Sequence, residues 1–312
     1  MSVATTDRAE TAVLMGTYNG APFLAEQIAS IQAQTIPRLD LIVSDDGSTD
    51  GTQALLAEAA AGWKKGQFEV LSGPGKGFSE NYRHLLIAHG QSHAFVAFSD
   101  QDDIWHPEKL EVAINWLGSQ SDKPALYCGR TRYVDAAGNY LRMSPLFRKP
   151  PSVHNALVQS IGGGNTMVMN AKAAQLVGMA SRNHPFVSHD WWAYLVVTAC
   201  GGIVRYDATP HIDYRQHQDN VLGANDTVLA RLRRATALRQ GRFRQWMDIH
   251  LTGLAELEPH MTTEARNLIA DFRAMRQKGP IARPLSLVRS RLYRQTLLGT
   301  MSLGIAVAMG WL

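Results

Sequence analysis

The sequence predicts an α/β fold in which a mostly parallel sheet is covered by helices on both faces. Between residues 11 and 117, short apolar runs alternate with segments whose apolar residues recur every three or four positions. The apolar runs are continuous rather than alternating, as in strands buried on both faces. Three of these runs end in polar residues, and ligands of such sheets bind outside the carboxyl ends of the strands.

The elements follow one another at short intervals. The predicted strands are TAVLMGTYN from residue 11, RLDLIVSDD from residue 38, QFEVLSG from residue 67 and AFVAFSDQDD from residue 94. The predicted helices are APFLAEQIASIQAQT from residue 21, QALLAEAAAGW from residue 53 and GFSENYRHLLIAHG from residue 77. Each helix returns the chain to the start of the next strand, as parallel pairing requires.

Polar side chains from three strand ends are expected to meet at one edge of this sheet. They are Thr17, Tyr18 and Asn19, then Asp45 and Asp46, then Asp100, Asp102 and Asp103. Neither G-x-G-x-x-G nor G-x-x-x-x-G-K-[ST] follows the first strand, so a phosphate ligand would meet acids. We therefore expect a divalent cation, Mg²⁺ or Mn²⁺, between carboxylates and phosphate oxygens. The alternative, a cap on the helix that follows, is expected of Asp103 alone.

Charge is unevenly distributed along the chain. The net charge is +4, but residues 229–294 carry 14 Lys and Arg against 5 Asp and Glu, and the remainder carries 17 against 22. The basic segment has helical apolar spacing, which is typical of helices that lie on an anionic membrane; nucleic acid binding is the alternative, and we expect no nucleic acid partner. The last 18 residues, QTLLGTMSLGIAVAMGWL, are uncharged. We expect an interfacial or re-entrant anchor there, the alternative being a helix packed on the protein's own core or on a second copy.

Further features bound the class of protein. Cys128 and Cys200 lack metal-like spacing and are predicted to be reduced thiols. The N-terminus has no basic region followed by a long apolar stretch, so we expect no signal peptide and a cytoplasmic protein. The predicted organisation is a catalytic domain over residues 1–225, with halves at about 11–117 and 118–225, and a basic helical, membrane-associating extension over 226–312.

The motifs resemble those of a known enzyme family. VLMGTYNG with FLAEQIASIQAQT, LIVSDDGSTDGT and FSDQDDIWHPEKL are similar to segments of the inverting family 2 nucleotide-sugar glycosyltransferases of GT-A (Rossmann-like) fold, and among them to the bacterial rhamnosyltransferase-like members. IGGGNTMVMNAKAA, HPFVSHDWWAYLVV and IDYRQHQDNVLG extend the resemblance more loosely to about residue 223. It implies metal-dependent transfer of L-rhamnose from dTDP-L-rhamnose, or of a hexose from a UDP-sugar. The implied acceptor is a glycan or a polyprenyl-diphosphate-linked glycan of a cell-surface polysaccharide, at the inner face of the cytoplasmic membrane.

The resemblance also implies roles at the donor end of the site. Tyr18 would stack on the pyrimidine base and Asp46 would accept its N3–H, with Thr17 and Asn19 beside them and Asn81 near the base or ribose. Asp102 would bind the metal directly. Asp100, with Gln101 next to it, would contact the ribose or a metal-bound water. In YRQHQDN, Arg215 is assigned to the diphosphate and His217 to the metal.

The acceptor end and the catalytic base come from the second half of the domain. Asp190 of SHDWW is the expected general base, and His189 stands where the family often has Glu; capping of the helix that follows is the structural alternative for Asp190. Gly163, Gly164, Asn165, His189 and Trp191 are assigned to the acceptor. The glycines of IGGGN would permit positive φ and close approach to sugar rings, or simply a tight turn.

Two other classes of protein share parts of this pattern. A nucleotidyltransferase also holds a metal with carboxylates on an α/β sheet, but no Gly-rich, basic triphosphate loop follows the first strand. A non-catalytic scaffold could keep the fold and bind a partner through its basic tail, but Asp102 and Asp190 are both present. The oligomeric state is left open, with a homo-oligomer as one possibility.

Overall fold

The computed structural model describes residues 9–217 and 241–312. Its main sheet has seven strands in the order β10-β6-β9-β4-β1-β2-β3. These strands are β1 (Thr11–Thr17), β2 (Asp40–Asp45), β3 (Phe68–Ser72), β4 (Phe95–Ser99), β6 (Ala125–Gly129), β9 (Val168–Asn170) and β10 (Ile203–Asp207). The four strands predicted from the first half of the chain are confirmed as β1 to β4, and they pair in parallel.

Helices cover both faces of the sheet. They are α1 (Ala21–Gln32), α2 (Thr52–Gly62), α3 (Phe78–His89), α4 (Lys109–Gly118), α5 (Val153–Ala156), α6 (Ala171–Ala180) and α7 (His189–Ala199). Along β1, Val13 and Met15 join the core under α1 and α4, whereas Ala12 and Leu14 join the core under α3, α6 and α7. This double burial explains why the strand is continuously apolar.

A second, four-stranded sheet lies beside the carboxyl ends of the main one. Its order is β5-β11-β7-β8, formed by β5 (Ile104–Trp105), β7 (Arg132–Val134), β8 (Tyr140–Met143) and β11 (Ile212–Arg215). The strand β9 is antiparallel to both β4 and β6, so the main sheet is mostly rather than wholly parallel. Pairing of β11 with β5 brings residues 212–217 back beside Asp102 and Asp103.

The expected helix cap by Asp103 is wrong. The helix α4 begins six residues later, at Lys109, and its N-cap is Glu108. The buried carboxylate of Asp103 instead accepts hydrogen bonds from the Asn165 side-chain amide, at 2.6 Å, and from the backbone N–H of Arg215, at 3.3 Å. Asp103 therefore joins three chain segments under the site.

The C-terminal helices pack onto the protein's own core. They are α8 (Arg242–Ala255), α9 (Thr263–Gln277), α10 (Ala282–Ser290) and α11 (Leu297–Ala308). Met247 and Leu254 of α8 and Phe272 of α9 are buried in the same cluster as α7. The first part of the predicted basic helix, the segment DNVLG and the domain boundary at residues 225 and 226 lie outside the described residues.

Two other sequence expectations concern the thiols and the membrane. Cys128 and Cys200 are free, as predicted, and burial raises the pKa of Cys200 to about 11. Across residues 9–217 and 241–312, no helix combines the length and apolarity needed to traverse a bilayer. The helix α11 places Leu303, Ala306 and Val307 in the core and leaves its other face exposed.

Candidate active site

A cavity of about 1210 Å³ opens at the carboxyl ends of β1, β2 and β4. Fourteen of the sixteen site residues proposed from the sequence line it: Thr17, Tyr18, Asn19, Asp46, Asn81, Asp100, Gln101, Asp102, Gly163, Gly164, Asn165, His189, Asp190 and His217. Arg215 and Trp191 do not line it. The fold thus confirms the prediction that the polar ends of three strands meet at one edge of the sheet.

Tyr18 is held at the cavity mouth by its backbone rather than by its ring. The side-chain amide of Gln101 accepts from the Tyr18 N–H at 2.8 Å and donates to the Tyr18 carbonyl at 3.0 Å. The ring itself is 59% exposed, which leaves a face open for stacking. Both the oxygen and the nitrogen of the Gln101 amide are therefore already hydrogen-bonded to the Tyr18 backbone.

Asp46 lines the cavity and is held in place by backbone N–H groups. Its two carboxylate oxygens accept from the backbone N–H groups of Gly75 and Gly77, each at 2.7 Å. Each oxygen keeps a second lone pair for a ligand N–H. Beneath it, Asn81 is buried and donates to the Ser44 carbonyl at 2.8 Å, and its side-chain carbonyl oxygen has no hydrogen-bond partner among the described residues.

Asp45 is a supporting residue. Burial raises the pKa of its carboxyl group, but hydrogen bonds from Ser48, Gln53 and Thr17 outweigh burial, so the pKa lies below its ordinary value. The carboxylate stays charged and fixes the turn after β2. Thr17, whose hydroxyl donates to Asp45 at 3.0 Å, is thereby turned toward the sheet.

Asp100 lies at the centre of the negative charge. Its carboxylate accepts from the buried Tyr82 hydroxyl at 2.9 Å. Burial, followed by the charges of Asp102 and Asp190, raises the pKa of Asp100 to about 7. Three carboxylates thus repel one another across one cavity, which is the situation that a bound cation relieves.

Asp102 is paired with His217. The carboxylate oxygen Oδ2 of Asp102 and the imidazole Nε2 of His217 are 2.9 Å apart. This separation is about that of neighbouring ligands around an octahedral Mg²⁺ ion, whose bonds are about 2.1 Å long. The carboxylate suits Mg²⁺ or Mn²⁺ when substrate oxygens complete the shell, and the imidazole favours the softer Mn²⁺ of the two. Among the described residues, no three His, Cys, Asp or Glu side chains form a metal cluster by themselves.

Arg215, expected at the diphosphate, is buried beneath the site instead. It is 1% exposed, and its guanidinium donates to the backbone carbonyls of Asp102, at 3.0 Å, and Ala136, at 2.6 Å. It also pairs with the Glu26 carboxylate and stacks over the Phe23 ring. In this arrangement Arg215 positions the backbone that carries Asp102.

Asp190 occupies the first turn of α7. The helix begins at His189 with Ser188 as its N-cap residue, so Asp190 is inside the helix rather than capping it. Its carboxylate is half-buried, lines the cavity and accepts from the Ser160 hydroxyl at 3.2 Å. A carboxylate in the first turn is favoured by the helix dipole and remains available as a proton acceptor.

His189 is buried beside Asp190. Its ring stacks on Tyr82 with 3.6 Å between centroids, and neither ring nitrogen has a hydrogen-bond partner among the described residues. Burial lowers the pKa of His189 to about 4, against the opposing charge of Asp190. The imidazole is therefore neutral at ordinary pH.

The glycine loop is explained by crowding rather than by left-handed backbone. Gly162, Gly163 and Gly164 are absent from the positive-φ residues of the described chain, so that part of the expectation is wrong. A Cβ on Gly164 would stand 1.8 Å from His189 Nε2, and one on Gly163 would stand 2.6 Å from the Asn165 side-chain oxygen. The loop must lie against the histidine ring, and only glycine fits there.

Trp191, expected at the acceptor, points away from the cavity. Its indole N–H donates to the Ala156 carbonyl at 2.7 Å, and its ring packs edge-on against Trp246 and His250. The helix periodicity accounts for this: consecutive residues of α7 lie about 100° apart around the axis, so Asp190 and Trp191 cannot face the same space.

Sequence reasoning missed two groups of cavity residues. Tyr82 follows Asn81 directly, and its buried, aromatic position on α3 was the available signal. The second group is an aromatic wall of the cavity, contributed by Tyr133, Phe147, Tyr206 and Tyr214. Tyr133, Tyr206 and Tyr214 lie on three different short strands and Phe147 lies outside them, so no local motif marks the group.

Comparison with known proteins identifies the class. Residues 12–177 match the model of the family described as Glycosyl transferase family 2, and the chain belongs to this family. The protein is a glycosyltransferase with a GT-A-like fold.

The chain is similar to several individual proteins. The chain is 27% identical over 259 residues to the dTDP-rhamnosyl transferase RfbG of Shigella flexneri, covering 78% of this chain and 85% of that protein. It is 29% identical over 105 residues to the UDP-Glc:alpha-D-GlcNAc-diphosphoundecaprenol beta-1,3-glucosyltransferase WfgD of Escherichia coli, covering 34% of this chain and 40% of that protein. The S. aureus TarS 1–349 structure in complex with UDP-GlcNAc superposes with a TM-score of 0.58 at 13% identity, covering 84% of this chain and 70% of that chain. At this identity the TarS likeness establishes the fold.

Proposed function

We propose that the protein is a metal-dependent, inverting glycosyltransferase that transfers L-rhamnose from dTDP-L-rhamnose to a bacterial cell-surface glycan. The observation that carries the proposal is the convergence of Asp46, Asp100, Asp102 and Asp190 on one cavity. An acidic cavity binds a nucleoside diphosphate only together with a cation.

The donor's base would lie between Tyr18 and Asp46. The exposed Tyr18 ring supplies a stacking face, and a carboxylate oxygen of Asp46 can accept the N3–H that uracil and thymine share. Likeness to RfbG, whose name specifies dTDP-rhamnose, favours thymidine and rhamnose. The alternative is a UDP-hexose donor, which the likeness to WfgD favours and which the same base contacts would accept.

Asp102 and His217 would hold Mg²⁺ or Mn²⁺, and Asp100 would contact the ribose or a metal-bound water. The bound cation would supply charge neutralisation for the departing diphosphate. Arg215 would act indirectly, by fixing the backbone carbonyl of Asp102 from below.

Asp190 would remove the proton of the acceptor hydroxyl. Its position in the cavity wall leaves its carboxylate accessible, and the Ser160 hydroxyl orients one oxygen. Direct displacement at the anomeric carbon needs such a base within hydrogen-bond reach of the attacking hydroxyl. His189, being neutral, would support Asp190 without adding charge, and the Gly163–Asn165 loop would face the acceptor.

The acceptor would be a glycan, carried on a polyprenyl diphosphate at the inner face of the cytoplasmic membrane. The aromatic wall of Tyr133, Phe147, Tyr206 and Tyr214 supports a sugar acceptor, because aromatic rings offer apolar faces on which sugar rings pack.

The test is turnover by the purified full chain. Protein is incubated with Mn²⁺ or Mg²⁺, a lipid-linked acceptor extract and each of dTDP-rhamnose, UDP-glucose, UDP-galactose and GDP-mannose, and release of nucleoside diphosphate is measured. We expect release with dTDP-rhamnose that disappears on chelation with EDTA. Release with a UDP-hexose alone would replace the proposed donor. No release with any donor would refute the proposed activity.

A further inference from the structure

The exposed apolar side chains of the protein are concentrated at its C-terminal end. Of the fourteen large hydrophobic residues exposed in the described part of the chain, eight lie between residues 281 and 309. They are Ile281, Leu285, Val288, Leu297, Leu298, Met301, Ile305 and Met309, together called the apolar face below. A concentration of this kind on a protein surface marks an interaction site.

The apolar face is built from helical stripes. Ile281, Leu285 and Val288 follow one another at intervals of four and three residues along α10, which places them on one side of that helix. Leu297, Met301 and Ile305 recur every fourth residue along α11, and Met309, its C-cap residue, continues the series. Ile281 is 91% exposed and Leu297 is 75% exposed, so neither stripe is covered by the rest of the described chain.

The charge of this segment favours one kind of partner. Residues 272–312 contain seven Lys and Arg and no Asp or Glu. Lys278, Arg289 and Arg291 of this segment are exposed beside the stripes. An apolar stripe on a segment whose own charged side chains are all basic complements an anionic lipid surface, in which acyl chains take the apolar groups and phosphates take the cations.

The geometry of α11 excludes a spanning arrangement. The helix has 12 residues, about 18 Å at 1.5 Å per residue, against a hydrocarbon core about 30 Å thick. Its Leu303, Ala306 and Val307 are locked in the protein core, so only one side faces outward. A short helix exposed on one side only is suited to lie in the interface plane.

Hydrogen bonds connect the apolar face to the side of the cavity that holds the aromatic wall. Lys149 donates through its backbone N–H to the Gln295 side chain at 3.1 Å, and through its ammonium to the Arg294 carbonyl at 2.9 Å. Two residues before Lys149, Phe147 lines the cavity. The turn that leads into α11 is thus bonded to the segment that forms the cavity's aromatic wall.

We propose that the apolar face docks the protein flat onto an anionic bilayer, with α10 and α11 in the interface and the aromatic side of the cavity next to the membrane. In this orientation a lipid-linked glycan would enter the cavity from the membrane side. The acceptor route rests on the proposed function, whereas the docking itself does not.

The test is flotation of the full chain with lipid vesicles. The vesicles contain phosphatidylethanolamine and phosphatidylglycerol, and phosphatidylcholine vesicles serve as the neutral reference. The disruptive variant is Leu298→Ser with Met301→Ser and Ile305→Ser, and the charge variant is Lys278→Gln with Arg289→Gln. The matched control is Leu141→Ser, which removes an apolar side chain of similar exposure on β8.

We expect wild type and Leu141→Ser to float with anionic vesicles and to bind phosphatidylcholine weakly. The apolar variant should bind about tenfold less or weaker still, because the three side chains it loses supply much of the buried apolar area. The charge variant should lose its preference for anionic vesicles. Donor turnover without vesicles should be equal in all variants. Turnover therefore reports on the proposed activity, and flotation reports on membrane binding.

Three results would overturn the proposal. The first is wild-type protein that stays at the bottom of the gradient, and the second is an apolar variant that floats like wild type. The third is self-association of wild type, measured by light scattering, that the apolar variant abolishes without any effect on flotation, since a second copy would then occupy the face. Circular dichroism and melting curves establish that each variant is folded.

Discussion

The ring of His189 stacks on the ring of Tyr82 with 3.6 Å between their centroids, and this contact joins the helices α3 and α7. Tyr82, on α3, donates its hydroxyl to Asp100, while His189 begins α7 directly before Asp190. Because burial lowers the pKa of His189 to about 4, the stack is a neutral one at ordinary pH. A glutamate at position 189 would add a fifth carboxylate to those of Asp46, Asp100, Asp102 and Asp190 in this cavity, and the neutral histidine avoids that.

Replacement of Asp102 by Asn should remove metal-dependent turnover. The variant loses the carboxylate that pairs with His217, so we expect a fall of about a hundredfold or more in nucleoside diphosphate release and a weaker response to Mn²⁺ titration. His217→Ala should act in the same direction but less strongly. Asp271→Asn, at an exposed position on α9, is the control and should leave both unchanged. Full turnover by Asp102→Asn would show that Asp102 does not bind the metal.

Replacement of Asp190 by Asn should affect chemistry and spare donor binding. Loss of a general base lowers the rate by about 10²–10⁴-fold, while the proposed donor contacts involve other residues of the cavity. Donor affinity is measured by titration and turnover under donor saturation. Ser160→Ala removes only the hydrogen bond to Asp190 and should cause a much smaller loss. Wild-type turnover in Asp190→Asn would mean that another group takes the proton.

Gly164→Ala should disturb the stack. The added Cβ would stand 1.8 Å from His189 Nε2, so the ring or the loop must move, at about 1–3 kcal/mol of unfolding free energy. Combining it with His189→Ala makes room, and the double variant should be less destabilised than the sum of the two single changes. Gly62→Ala, where an added Cβ meets nothing within 4 Å, is the control. Additive effects at 164 and 189 would contradict the crowding argument.

The buried His250 should make stability fall in mild acid. Burial lowers its pKa to about 3, whereas the unfolded chain has a value near 6.5, so the unfolded state binds more protons between these values. Stability from this group is therefore full above pH 6.5 and is lost as the pH falls, by roughly 2 kcal/mol at pH 5. His250→Leu should show a shallower decline in melting temperature below pH 6.5. The exposed His260→Leu is the control, and parallel curves for wild type and His250→Leu would exclude this explanation.

Much of the donor side was predictable because it depends on the ends of buried strands. A strand that is apolar throughout and ends in Asp must bring that Asp to the sheet edge, and this placed Asp46, Asp100 and Asp102 together. The helices between the strands supplied the rest of the pattern, and the family resemblance assigned the roles.

What could not be predicted depends on which way a side chain turns after the strand ends. Arg215 and His217 are two residues apart, yet β11 ends at Arg215, so one enters the interior and the other faces the cavity. Asp190 and Trp191 are consecutive residues of α7, so their side chains point about 100° apart around the helix axis. The aromatic wall depends on pairing between strands that are far apart in sequence, such as β7 and β11, which local patterns do not encode.

The two hydrogen bonds between the Gln101 side chain and the Tyr18 backbone bear on which nucleotides the cavity can bind. Gln101 stands between Asp100 and Asp102, so the residue that binds the Tyr18 backbone is flanked by two of the acids proposed for the ribose and the metal. With the roles proposed above, one short segment would contact both ends of the donor. We therefore expect dTDP to bind more tightly than dTMP, which lacks the second phosphate, and than dTTP, whose third phosphate has no assigned contact. Competition by dTMP, dTDP and dTTP measures this preference directly.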